Sequence, residues 1–192
     1  MLSAVTRAFR TPDLRRKLLF TLMVMAIFRL GSAVPTPGVS YTLVAQCLSG
    51  ASAQNGFIGL ANLFSGGALL QLSIFALGIM PYITASIIIQ LLTVVIPRFE
   101  ALKKEGQSGQ TKMTQYTRYL TIGLAVLQSS TLITFARSPQ QIFGPQCEQI
   151  LADDSMPTIL IMVLTLTAGT GLIMWLAELI TDKGIGNGMS LL

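Results

Sequence analysis

The chain has no histidine among its 192 residues, which removes the commonest general base and the commonest metal ligand. Charge is scarce too. Only 11% of the residues are charged, where soluble domains carry about 25%. A soluble fold of this length needs a more polar surface, so lipid is expected to cover much of this one. The only cysteines, Cys47 and Cys147, stand far apart in polar stretches and form no zinc-binding spacing. No Walker-type phosphate loop occurs, and the apolar runs contain no aspartate. These absences point away from catalysis: no enzyme activity, metal or cofactor is expected.

What is present is apolar residue, 52% of the chain, with a mean hydropathy of +0.65. A helix needs roughly 17–25 residues to cross the hydrocarbon core, and four runs qualify. The expected organisation is all-α, a bundle of transmembrane helices. A basic N-terminus covers 1–17 and span one 18–35. An external segment follows over 36–72, then span two over 73–97. A cytoplasmic loop over 98–118 leads to span three over 119–136. A second external loop covers 137–157 and span four 158–180, with a cytoplasmic turn over 181–192. The first run follows basic residues but lacks a small-x-small cleavage pattern, so it reads as a signal anchor.

Charge gives the orientation. Arg7, Arg10, Arg15, Arg16 and Lys17 precede span one. Arg98, Lys103, Lys104, Lys112 and Arg118 lie between spans two and three, and Lys183 follows span four. Eleven of thirteen basic residues therefore fall on one side, which the positive-inside bias makes cytoplasmic. Beside four spans, a nucleic-acid patch is the poorer reading of these loops. Arg29 lies within the first run and is expected to snorkel outwards or bond to a neighbouring helix. Glu178 and Asp182 stand four apart at the inner end of span four, where interfacial solvation accounts for them better than acid–base work.

Two places break the regular pattern. The external segment ends in "GFIGLANLFSGGALL", apolar and glycine-rich. An unbroken helix from Phe57 to Ile96 would run about 60 Å, twice the hydrocarbon thickness. Gly66 and Gly67 offer a break, giving a half-helix near 57–65. A broken helix at membrane depth needs protein or a water-filled cavity around it, which suggests a conduit. An amphipathic helix lying on the outer surface is the other reading. Pro81, inside span two, is expected to kink that helix near Leu77, with Gly78 easing the bend. In span four, the small residues from Thr167 to Gly171 allow close helix approach, and Trp175 lies near the inner interface.

Three strings carry a family resemblance: "FSGGALLQLSIFALGIMPYITASIIIQLLT", "KKEGQSGQTKMTQYTRY" and "MWLAELITDKGIGNGMSLL". In that order they resemble the SecY family of protein-conducting channel subunits (Sec61α in archaea and eukaryotes). The start "RTPDLRRKLLFTL" looks like its actinobacterial branch. The resemblance implies ten spans in two inverted halves, of which this chain covers four and the start of a fifth. The run opening at "GIGNGMSLL" stops at Leu192, so an incomplete N-terminal half is expected.

The resemblance also implies sites. Ile79 and Ile83 fall on the family's pore-ring positions, an aliphatic constriction that resists ions by dewetting. Phe57, Leu60, Asn62, Phe64, Gly66 and Gly67 fall on its plug. Thr84, Gln90 and Asn187 are polar groups on membrane segments that should find partners across helices and tune a lateral gate. Implied partners are SecE, SecG, the ATPase SecA, the ribosome, secretory polypeptides and membrane lipids. The implied location is the bacterial plasma membrane, with the N-terminus cytoplasmic. A small-solute or ion transporter with a broken helix is the alternative function, but the expected constriction bears no ionisable residue. Cys47 and Cys147 both fall in expected external loops, so a disulfide and two free thiols are both open readings.

Overall fold

The computed structural model describes residues 12–40, 42, 44, 72–138, 150–151, 155–184, 186 and 188–191. Helix α1 (Pro12–Ser32) starts on a proline, whose missing N–H costs nothing in the first turn, and carries Asp13 at its positive end. Only Thr21, Val24 and Ser32 are buried on it. Val24 and Phe20 pack on Leu176 and Ile180 of helix α5 (Met156–Lys183).

Past α1 the chain turns, and its backbone finds partners in distant segments. The Thr36 amide and hydroxyl both donate to the Leu72 carbonyl, at 3.0 and 2.6 Å, and the Ile74 amide donates to Val34 at 3.0 Å. The Ser40 amide donates to Ile150 at 3.2 Å. Beneath these ties lies the main core, formed by Leu72, Ala76, Ile133, Ala136, Ile150, Leu151, Met162 and Leu166.

Residues 72–79 are not helical. They form tight turns, with Ala76 N–H to Ser73 and Gly78 N–H to Phe75, both 2.9 Å. Helix α2 (Met80–Val95) begins only after them, with Pro81 in its first turn. The expected kink near Leu77 is therefore replaced by a helix start. A helix running through Leu77 would need an amide proton at position 81, and proline has none. The turns are buried rather than lipid-exposed: Leu72, Ser73, Phe75 and Ala76 are all inside. They press on α5 where it has no side chain. A Cβ at Gly169 would lie 2.2 Å from the Ile74 carbonyl oxygen. The small residues of span four thus admit a turn of backbone, not a second helix.

The region expected as a cytoplasmic loop over 98–118 is mostly helical. Ile96 is extended, as a residue before proline tends to be, and Pro97 opens helix α3 (Pro97–Lys104). α3 is bent 100° from α2. Phe99 meets Tyr116 edge to face, ring centroids 5.7 Å apart, which pins α3 to helix α4 (Gln107–Arg137). Only Glu105 and Gly106 separate the two helices. Helix formers among Gln107–Arg118 let α4 extend well beyond its apolar run. At 31 residues it is about 46 Å long, more than the hydrocarbon core is thick.

The buried seam of α4 is Gly109, Met113, Thr117, Thr121, Ala125, Ser129 and Ile133, every fourth residue. A four-residue period advances about 40° per step, so the seam winds around α4 and serves two neighbours, α2 and α5. Small residues keep the axes close. The hydroxyls along the seam bond inside α4: Thr117 donates to Met113 and Thr121 to Thr117.

α4 and α5 are the described helices long and apolar enough to cross a membrane; α2 and α3 qualify as a bent pair. α1 has 21 residues but includes Arg15, Arg16, Lys17 and Arg29. After α5 the chain turns into helix α6 (Gly188–Leu191), where the Gly188 amide donates to the Thr181 hydroxyl at 3.0 Å.

Gly169→Val should push the Ile74 turn off α5 and destabilise the full-length protein by about 1–3 kcal/mol. Thermal unfolding of the purified, complete protein checks this; an unchanged midpoint would mean that the turn does not rest on α5.

Candidate functional site: one face of helix α2

The first turn of α2 sets the site. Ile79 is the N-cap residue, and its carbonyl accepts the amides of both Tyr82 and Ile83 at 3.1 Å. Ile83 follows one turn later, rotated by about 40°. Ser86 and Gln90 fall within about 20° of Ile79 in projection, so all four residues share one stripe. A neighbouring stripe, Pro81, Ala85, Ile89 and Thr93, is buried on the side of α4. On the other flank Met80, Ile87, Leu91, Val94 and Val95 are exposed. Ile79 and Ile83 are half-buried, on the border between packed and open surface.

Ile79 is backed by a small apolar cluster. Phe75 and Ile173 are buried in it, and Phe28, Ile74 and Ile79 pack against them. The Phe28 and Phe75 rings are stacked at 5.6 Å and 6°. α1, the 72–79 turns and α5 thus converge behind one residue.

The polar groups of α2 behave differently from expectation. The Thr84 hydroxyl donates to Met80 at 2.9 Å, and the Gln90 amide donates to the Ser86 hydroxyl at 3.3 Å. Both bonds lie within α2, not across helices. An intrahelical i−4 carbonyl is always within a threonine's reach, whereas a cross-helix partner must be supplied by another chain segment. Sequence reasoning missed Ser86; its place in the stripe follows from helical projection once the helix start is known. Asn187, the plug positions Phe57, Leu60, Asn62, Phe64, Gly66 and Gly67, and Cys47 and Cys147 lie outside the described residues.

A second polar feature joins α4 to α5. Arg118 makes two hydrogen bonds to Glu178, Nε to Oε1 at 2.9 Å and Nη2 to Oε2 at 2.6 Å. Glu178 keeps 19% of its side-chain surface exposed and Arg118 47%. The expectation of simple solvation at Glu178 is corrected: its partner is an arginine on the next helix. A signal for it was present. Arg118 and Glu178 stand at the inner ends of consecutive apolar runs, and antiparallel neighbours bring such ends together. Tyr82 of α2 lies within electrostatic range of both charges. Among the described residues no His, Cys, Asp and Glu side chains gather into a metal-binding group.

The fork geometry should make this pair worth about 1 kcal/mol despite partial exposure. Glu178→Gln and Arg118→Gln should each lower the melting temperature of the complete protein. The exchange Arg118→Glu with Glu178→Arg should recover part of the loss. Losses that simply add in the exchanged protein would show that the two side chains do not interact.

Comparison with known proteins adds three findings. A family model described as SecY matches residues 73–192. The chain is 63% identical over 194 residues to a protein translocase subunit SecY of Streptomyces scabiei, covering 100% of this chain and 44% of that protein. It is 57% identical over 194 residues to a protein translocase subunit SecY of Mycobacterium tuberculosis, again covering 100% and 44%. The chain therefore spans less than half the length of these curated relatives. Among solved structures, Sec61 in the canine ribosome–channel complex from the endoplasmic reticulum aligns with a TM-score of 0.59. That alignment is 17% identical and covers 92% of this chain and 35% of the other. The structure of a protein conducting channel aligns equally well, at 0.59 and 17%, covering 92% and 34%. At that identity the likeness establishes the fold.

Proposed function

Because this chain belongs to the SecY family, we propose that it forms the N-terminal part of a protein-conducting channel in the bacterial plasma membrane. The channel passes unfolded secretory polypeptides across the membrane and releases apolar segments sideways into lipid. It carries out no covalent chemistry of its own; the driving force comes from SecA or the translating ribosome, with SecE and SecG as companion subunits. The N-terminus lies in the cytoplasm, an orientation supported by the basic residues on that side of the spans.

The observation that carries this reading is the place of Ile79 and Ile83, stacked one turn apart and half-buried at the start of α2. Two branched aliphatic side chains at that border supply part of a ring that stays dry when closed and yields to a peptide. Ser86 and Gln90 continue the same stripe toward the cytoplasmic end and offer a polar approach to it. In this reading the residues around 57–67 form the plug. α2 and α4 form one wall of the lateral gate, with Thr84, Gln90 and Asn187 near its seam. The alternative, a solute or ion transporter, is not favoured, since the family match covers the very stretch that holds the stripe.

Two measurements test the proposal in the complete protein. Cysteine probes at positions 79 and 83 should crosslink to a secretory chain stalled during translocation; labelling by lipid alone would remove the pore assignment. Ile83→Asn should wet the ring and raise ion leakage through the resting channel, and an unchanged conductance would count against a dry constriction.

A further inference from the structure

Ile79 is held from behind. Its main chain is anchored by the start of α2, and its side chain packs on the buried pair Phe75 and Ile173, against which Phe28 and Ile74 also pack. Within that cluster Phe75 is 3% exposed and Ile173 fully buried, while Phe28 is half-buried at the edge. The near-parallel stack of Phe28 on Phe75 spans the gap between α1 and the 72–79 turns. Its tightness depends on Gly31: a Cβ there would stand 2.1 Å from Phe75 Cε2 and 2.8 Å from two further ring atoms. The ring of Phe75 occupies the space that any larger residue of α1 would fill. Ile74, also in the cluster, has its carbonyl lodged against Gly169 of α5. The cluster is therefore fixed on two sides by glycines, and a fixed surface behind Ile79 leaves that side chain few rotamers.

We propose that the Phe28–Phe75 stack, seated on Gly31, is a positioning buttress that holds Ile79 in the closed constriction. The inference rests on the reading of Ile79 as a pore-ring residue and adds to it a role for α1. A stack of this kind is rigid and directional, so losing it frees the isoleucine without removing it. The resting channel then leaks although every ring residue is present.

The test uses purified, complete translocase in planar bilayers, reading resting ion conductance together with the amount of assembled channel. Phe28→Leu keeps an apolar residue at a half-buried site but removes the stack, and should raise resting conductance about two- to tenfold. Phe28→Tyr keeps the stack and should stay near the unmodified protein. Gly31→Ala should leak as Phe28→Leu does. Adding Phe75→Leu to Gly31→Ala should leak no more than Phe75→Leu alone, because the clash has lost its partner. Ile79→Asn serves as the independent arm. If it leaks while Phe28→Leu and Gly31→Ala do not, the buttress is wrong and the pore reading stands. If it does not leak, the pore reading itself fails. Equal leakage from Phe28→Leu and Phe28→Tyr also overturns the buttress, since stacking would then not matter.

Discussion

Pro81 has no amide hydrogen, and the arrangement around it follows from that lack. A helix cannot pass through its position without leaving the Leu77 carbonyl unpaired, so α2 starts at Met80. The eight residues before it must then satisfy their backbone in some other way while buried. They do so through local turns and through bonds to Val34 and Thr36 in the turn that follows α1. Once those residues are tied to α1 and laid against Gly169 of α5, the start of α2 is surrounded. Ile79, the last residue before the helix, becomes the point where three elements meet.

Two features then order the helices. The winding seam of α4 lets one helix pack against α2 and α5 with small residues throughout. It is apolar or internally bonded, so it sets distance but little register. The Arg118–Glu178 fork supplies register, because a bidentate bond tolerates less sliding than a contact between threonines and alanines. The small-residue seam of α4 and the ionic fork thus do different work within the same group of helices.

Much of this was legible in the sequence. The apolar runs over 119–136 and 158–180 lie within α4 and α5, since burial in lipid and helix formation demand the same residues. Family strings single out Ile79 and Ile83 as candidates, which no periodicity does, and their role as a pore ring stays a proposal. Other features were hidden for physical reasons. Residues 72–79 are as apolar as any helix, and hydropathy does not distinguish a buried turn from a buried helix. Gln107–Arg118 reads as a loop because it is polar, yet polarity excludes only lipid, not helix. Local spacing pairs Glu178 with Asp182 on its own helix, whereas its partner lies sixty positions away in sequence, where local spacing has no reach. Thr84 and Gln90 were expected to seek distant partners, but nearer ones within α2 were available.

The corner at Ile96 has a mechanical consequence. A helix transmits torque along its ladder of amide bonds. Here the ladder ends when the Ile96 amide donates to Leu92, and Pro97 offers no proton to resume it. α2 and α3 are therefore linked through one extended residue, a joint that carries tension but not twist. α3 is pinned to α4 by Phe99 on Tyr116. A pull on that corner would therefore meet α2 at one end, the end opposite Ile79.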